Sequence, residues 1–324
     1  MQVTPSVRAV QVPDANPMHP QVTTIYLVGT GQALTIDSGE DMERYRWMLK
    51  GYLAASEHAE IAISAVTHHH SDHCANLRWL NDEFGAEVRV IEPAVPLLEG
   101  RLPDSGVQLM ADGDRIDVQG GVSLRVIHTP GHSVDSTCYY LEDEGVLFTG
   151  DTVLGSTTTT VNDLADFMSS LARLQALPNL RLMCPGHGPV ISDPQRYIAD
   201  YVSHRNAREQ QIVDLLADGR VLTSWEIMEA LYTDIDTLLR RAADGNVRSH
   251  LRKLEKEGRV EMFEGRRRER TPEEIARASD EEHERVETIR KADEYREQAR
   301  RRALFLQENP PSDEWEEPPH YARA

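Results

Sequence analysis

The sequence predicts an α+β protein in three parts: a body of mixed strands and helices over residues 1–193, a linking helix and small helical domain over 194–270, and a charged helical, partly disordered tail over 271–324. Three observations predict it. In the first part, short apolar runs alternate with segments of helical period, as strands interleaved with helices do. From Pro194 onward helical periods dominate and end in one strand-like run. After Thr271 the chain is mostly Glu, Arg, Asp and Ala, with few apolar anchors.

Val22–Val28 and Ala33–Ile36 read as a hairpin across Gly29-Thr30-Gly31. Met42–Leu53 carries a helical pattern, and Ile61–Val66 is a buried strand that runs into a histidine cluster. Leu77, Leu80 and Phe84 recur at helical spacing, with Gly85 as the C-terminal stop. Val88–Ile91, Val122–Ile127, Thr137–Leu141 and Val146–Phe148 are further strands. In the second part Tyr197–Ala217 is a long helix, broken by Asp218-Gly219-Arg220, and Ser224 caps Trp225–Leu231. Helical stretches around Thr237–Ala243 and Val247–Glu257 follow, then Gly258–Met262 as a strand leading into a hairpin. Three short helices and a small hairpin make a winged helix. Thr271-Pro272-Glu273-Glu274 opens a helix to about Leu306, its mixed charges facing water. The end, with Pro310-Pro311 and Pro318-Pro319, is expected to lack fixed structure.

A net charge of −19 disfavours non-specific attachment to nucleic acid or anionic membrane, unless positive charge is concentrated locally. Cys74, Cys138 and Cys184 form no disulfide framework, which fits a reducing, cytoplasmic compartment. No apolar run approaches the ~20 residues of a membrane span, so no membrane partner is expected; a homo-oligomer is open.

The chemistry gathers at strand ends, where loops on a rigid sheet present it. His68 follows one strand in His68-His69-His70-Ser71-Asp72-His73, His132 follows another in Pro130-Gly131-His132, and Asp151 a third through Thr149-Gly150. His187 stands in Pro185-Gly186-His187-Gly188. Imidazole and carboxylate suit Zn(II), Fe(II) or Mn(II). Residues two apart in an extended loop point the same way, so His68 and His70 can share one ion while Asp72 and His73 face a second. By the same argument His69 points away, and His128 is a strand-end residue. Cys74 and Cys184 adjoin His73 and His187 and read as small buried packing residues.

These elements, in this order, resemble the metallo-β-lactamase superfamily. The resemblance implies an αββα sandwich with two metals at the sheet edge. His68, His70 and His132 would hold the first, Asp72, His73 and His187 the second, and Asp151 would bridge them. Asp37, in Ile36-Asp37-Ser38-Gly39, matches the family's early aspartate, which supports the site without binding metal. Two ions ~3.5–4 Å apart can share a hydroxide nucleophile, with Asp72 and Asp151 as the catalytic carboxylates that orient it. Two Zn(II) ions are the expected cofactors, Fe or Mn being alternatives.

Thr158-Thr159-Thr160-Val161 with Asp163-Leu164 and Phe167–Leu171, and later Tyr201–Gln211, are similar to the β-lactamase-like protein 2 group, which adds a C-terminal winged helix. The resemblance covers roughly residues 5–265. It implies alternatives rather than one substrate, because members include thioesterases and single-stranded-RNA endoribonucleases. Small ester or thioester substrates are the first expectation, and weak β-lactamase or lactonase activity is also open. The acidic body argues for small acyl substrates, with His204, Arg205 and Arg208 on one helix available to hold a carboxylate or phosphate. For RNA speak Arg240, Arg241, Arg248, Arg252, Lys253, Lys256, Arg259, Arg266, Arg267, Arg268 and Arg270, although Glu255, Glu257, Glu261, Glu264 and Glu269 dilute them and only Phe263 offers a stacking ring.

Overall fold

The computed structural model describes residues 1–12, 22–56, 60–267 and 315–324. The chain divides into two units with the boundary between Tyr201 and Val202; Thr160–Leu164 group with the second.

The first unit contains β1 (Val7–Val12), β2 (Thr23–Val28), β3 (Gln32–Ile36), α1 (Glu43–Ala55), β4 (Glu60–Ala65), α2 (Ser71–Cys74), α3 (Leu77–Phe84), β5 (Glu87–Ile91), β6 (Val107–Met110), β7 (Arg115–Val118), β8 (Val122–His128), β9 (Thr137–Leu141), β10 (Val146–Gly150), α4 (Leu164–Gln175), β11 (Leu182–Pro185) and the start of α5 (Pro194–Leu215). One sheet runs β1-β2-β3-β4-β5-β6 and the other β11-β10-β9-β8-β7. Tyr26, Val28, Leu34 and Ile36 of the first meet Tyr139, Leu141, Val146 and Phe148 of the second in one buried core. Every residue of β2, β9 and β10 is buried, so these strands are covered on both faces. That is the demand an αββα sandwich makes of its strands, and it explains why they read as continuous apolar runs. The helix α3 packs on β4 and β5, and Gly85 closes it at φ 69°.

The β2–β3 hairpin forms as expected, with Tyr26 opposite Ile36. The strands β1, β6, β7 and β11 carried no clear signal: β6, β7 and β11 are four residues each, and β7 alternates exposed and buried positions too briefly to register. What positions the chemistry is strand direction. β10 and β11 run parallel, so the chain leaves both at one edge of the sheet, carrying Asp151 and His187 with it.

The second unit contains the rest of α5, then β12 (Leu222–Thr223), α6 (Ser224–Leu231), α7 (Arg240–Lys256), β13 (Val260–Phe263), β14 (Arg266–Arg267), β15 (Trp315–Glu317) and β16 (His320–Arg323). Three expectations need correction. The cap of α6 is Thr223 rather than Ser224: its side chain accepts from Glu226 N, and the Glu226 carboxylate accepts from Thr223 N. This capping box satisfies two end groups at once, which a cap one residue later could not do. The two stretches around Thr237–Ala243 and Val247–Glu257 form one continuous helix α7 after a short turn, because Gly245 weakens a helix without ending it when Val247, Leu251 and Leu254 bury one face. Finally, β13 does not turn back on itself. Its partner is β16, which lies between β12 and β13 in the order β12-β16-β13.

The chain's last ten residues, expected to be unstructured, therefore complete the winged-helix sheet, with β14 and β15 pairing beside it. The charged segment is not simply a tail, since ordered strands stand on either side of it in the sequence. The helix expected to about Leu306 lies outside the described residues. Polar composition hid β16; what holds it is Tyr321, 5% exposed in a core with Ile212, Trp225, Val247 and Leu251. Truncating a buried aromatic costs about 3–5 kcal/mol, so Tyr321→Ala is expected to shift the urea midpoint of the full chain clearly downward. An unchanged midpoint would mean that β16 adds nothing to the unit.

Candidate metal centre

Each of the seven residues singled out in the sequence reaches the same edge of the first unit, in two sets whose ligand atoms lie within 4.8 Å of one another: His68, His70, His132 and Asp151, and Asp72, His73 and His187. The tight turn of α2 carries Asp72 and His73, and His70 precedes it in extended backbone.

The hydrogen bonds fix which nitrogen each imidazole offers. Asp37 accepts from Thr67 N at 2.7 Å and from Thr67 Oγ1 at 2.9 Å. With its one proton so committed, the Thr67 hydroxyl can only accept from His68 Nδ1, 3.1 Å away, leaving His68 Nε2 as a lone pair. His73 Nδ1 lies 2.7 Å from Asp37 Oδ2, His132 Nδ1 3.0 Å from Thr159 Oγ1, and His187 Nδ1 3.3 Å from the Val22 carbonyl. Each of these turns its Nε2 inward. His70 is reversed: its Nδ1 faces His68 Nε2 at 2.9 Å and His132 Nε2 at 3.2 Å. One proton can satisfy only one of those contacts. Three nitrogens this close are better explained by a cation, since tetrahedral ligands at ~2.0–2.1 Å from zinc stand ~3.3 Å apart.

Asp151 touches both sets. Its Oδ1 is 3.4 Å from His73 Nε2, and its Oδ2 is 3.6 Å from His187 Nε2 and 3.9 Å from His132 Nε2. His73 Nε2 and Asp151 Oδ1 are buried without a hydrogen bond, a state that costs several kcal/mol per group unless something occupies the gap. The carbon that an alanine at Gly186 would add falls 2.6 Å from His73 Cε1 and 2.8 Å from Asp151 Oδ1, so glycine there leaves the gap open. The donor set therefore fits a metal centre.

Electrostatics separate the halves. Burial and the neighbouring His132 push His70 down to about 4, so it is neutral at pH 7, the form that binds metal. Around His73 burial opposes charge, but Asp72, Asp151 and Asp37 outweigh it and raise the imidazole well above its ordinary range. His187 rises to about 9 in the same way: the Asp151 and Asp72 carboxylates outweigh its burial. Three buried carboxylates around one imidazole call for positive charge.

His69 belongs to neither set. Its Nδ1 lies 2.9 Å from Asp135 Oδ1 and ties the histidine loop to the His132 loop. Burial pushes the Cys74 and Cys184 thiols up to about 12, so neither offers a thiolate. His204, Arg205 and Arg208 belong to the second unit and differ in exposure: His204 is exposed, Arg205 buried, and Arg208 stacks at 4.0 Å on Tyr232 while donating to the Leu231 carbonyl at 2.8 Å. The supporting roles of Thr23, Thr67 and Thr159 went unread in the sequence, although Thr67 stands beside His68 and Thr159 lies in the Thr158-Thr159-Thr160-Val161 stretch.

Comparison with known proteins agrees with this geometry. Residues 19–187 match the Metallo-beta-lactamase superfamily and residues 223–268 the Beta-lactamase associated winged helix domain. A Caenorhabditis elegans protein named Beta-lactamase-like protein 2 homolog is 36% identical over 247 residues, 74% of this chain and 81% of that one. An Aspergillus fumigatus Atrochrysone carboxyl ACP thioesterase is 38% identical over 212 residues, 64% of each chain. A metallo-beta-lactamase family protein from Thermus thermophilus superposes with a TM-score of 0.68 at 26% identity, over 81% of this chain and 97% of that structure. With the sandwich, the ligand loops and the winged helix all in place, the chain belongs to the metallo-β-lactamase superfamily, in the group built like β-lactamase-like protein 2.

Proposed function

We propose that this protein is a binuclear metal-dependent hydrolase of small acyl substrates, with thioesters first among them. The observation that carries the reading is the position of Asp151 between two complementary ligand sets. His68, His70 and His132 would hold one ion, Asp72, His73 and His187 the other, and Asp151 both. The chemistry supplied by bound ions, Zn(II) or alternatively Fe or Mn, is activation of water and polarisation of the acyl carbonyl. Asp72 and Asp151 orient the attacking water and take its proton at their carboxylate oxygens. Asp37 holds His73 by its Nδ1, so the ring cannot turn away from the site.

Thioesters are favoured by the relative named as an acyl-carrier thioesterase and by the charge of the second unit. Five of the basic residues that argued for RNA are paired with carboxylates: Arg240 with Glu229, Arg248 with Asp244 at 3.0 Å, Lys253 and Arg259 with Glu209 at 2.8 Å each, and Arg266 with Glu316 at 2.8 Å. Arg268 and Arg270 lie outside the described residues. No described helix is long and apolar enough to cross a membrane.

The test is a panel on metal-loaded protein: acyl-CoA and glutathione thioesters, lactones, a β-lactam reporter and single-stranded RNA. Thioester turnover that disappears in Asp72→Ala is the expected result. RNA cleavage lost in the same variant, with no thioester turnover, would replace this reading with the nuclease one.

A further inference from the structure

We propose that the leading end of β2 is the positioning element of the second ligand set, with Thr23 and Tyr26 as its adjustable contacts; the proposal rests on the binuclear reading above. Five contacts run from this end of the strand to that set and to the peptide that precedes His187. The Val22 carbonyl accepts from His187 Nδ1 at 3.3 Å, and Thr23 bridges His187 through the backbone. Thr23 Oγ1 donates to Asp72 Oδ2 at 3.1 Å. Thr24 N donates to the Gly186 carbonyl at 2.7 Å, and Tyr26 Oη donates to the Pro185 carbonyl at 2.8 Å. The strand thereby holds Asp72, which arrives after β4, and His187, which arrives after β11, against one straight edge. Their ligand atoms, His187 Nε2 and Asp72 Oδ2, stand 3.1 Å apart.

The first set is supported from elsewhere, by Thr67 under His68 and Thr159 under His132. The β2 contacts touch neither of these threonines, and Asp37 is what joins Thr67 to His73 of the second set. Thr23 is fully buried and Tyr26 nearly so, with its ring against Phe148 at 5.2 Å, and neither hydroxyl is placed to touch substrate. Both act through another residue. Thr23 restrains the carboxylate that would bind metal, and Tyr26 restrains the peptide that precedes Gly186-His187.

Such partners commonly contribute 10–100-fold to metal affinity. The experiment is titration of apo-protein with Zn(II) against a chromophoric chelator, for the parent chain, Thr23→Val, Thr23→Ser, Tyr26→Phe and Asp72→Ala, with circular dichroism as the check on folding. The expected result is two ions for the parent, a second ion weakened roughly 10–100-fold in Thr23→Val with the first unchanged, recovery in Thr23→Ser, and a shift in the same direction for Tyr26→Phe. Equal weakening of both ions, or none in Thr23→Val while Asp72→Ala loses the second ion, overturns the proposal. If Thr23→Val does not fold, Tyr26→Phe decides by the same two outcomes. A parent chain that binds fewer than two ions overturns the binuclear reading itself, a result distinguishable from the others because it appears before any substitution.

Discussion

Replacing Asp151 with alanine is expected to reduce kcat/KM by at least ~10³-fold, because the loss of a correctly held ion removes several kcal/mol of transition-state stabilisation and each ~1.4 kcal/mol is tenfold. The size follows from geometry. Asp151 reaches His73 on one side and His132 on the other, so its loss loosens both ligand sets at once. It also removes one of the carboxylates that offset the crowded imidazoles. The fold should survive. Asp151 follows β10, whose five residues remain buried, and the backbone of the next turn is held by Thr152 N donating to the Thr149 carbonyl at 2.9 Å. The measurements are steady-state kinetics with metal analysis and circular dichroism on the same preparation. Turnover within tenfold of the parent chain would remove Asp151 from the mechanism.

Stripping metal with a chelator is expected to lower the melting temperature of the first unit by at least about 5 °C. A ligand present at a hundred times its Kd stabilises by about 2.7 kcal/mol, and a body of this size moves roughly 2–4 °C per kcal/mol. Here the effect has a specific origin. Asp37, Asp72 and Asp151 are all buried, as are His68, His73 and His132. Without a cation the carboxylates crowd one another, and His73 Nε2 and Asp151 Oδ1, 3.4 Å apart, make no hydrogen bond. Calorimetry before and after chelation, with metal content confirmed, checks this. An unchanged melting temperature after complete removal would mean that the cluster is stable by itself and is no metal centre. Lower pH should act in the chelator's direction, because binding requires imidazoles without a proton on the ligand nitrogen.

Sequence determined the candidate ligands. Glycine before His132, Asp151 and His187, and the spacing of His68, His70, Asp72 and His73, are local features, and local features survive in one dimension. The hydrophobic runs of β2, β9 and β10 were legible for the same reason: strands covered on both faces must be apolar throughout. Tertiary structure decided three other matters. It chose the ligand atom of each histidine, because Asp37, which orients Thr67 under His68, and Thr159 and Val22 become partners only when distant segments meet. It set the exposures of His204, Arg205 and Arg208, neighbours on one helix: His204 is exposed, Arg205 is buried, and Arg208 is engaged with Leu231 and Tyr232. And it brought the last strand, β16, into the middle of the winged-helix sheet, where a single buried tyrosine and backbone pairing hold a segment whose composition alone reads as solvent-facing. Backbone hydrogen bonds carry no side-chain signature, so a short strand held mainly by them becomes visible only once its neighbours are in place.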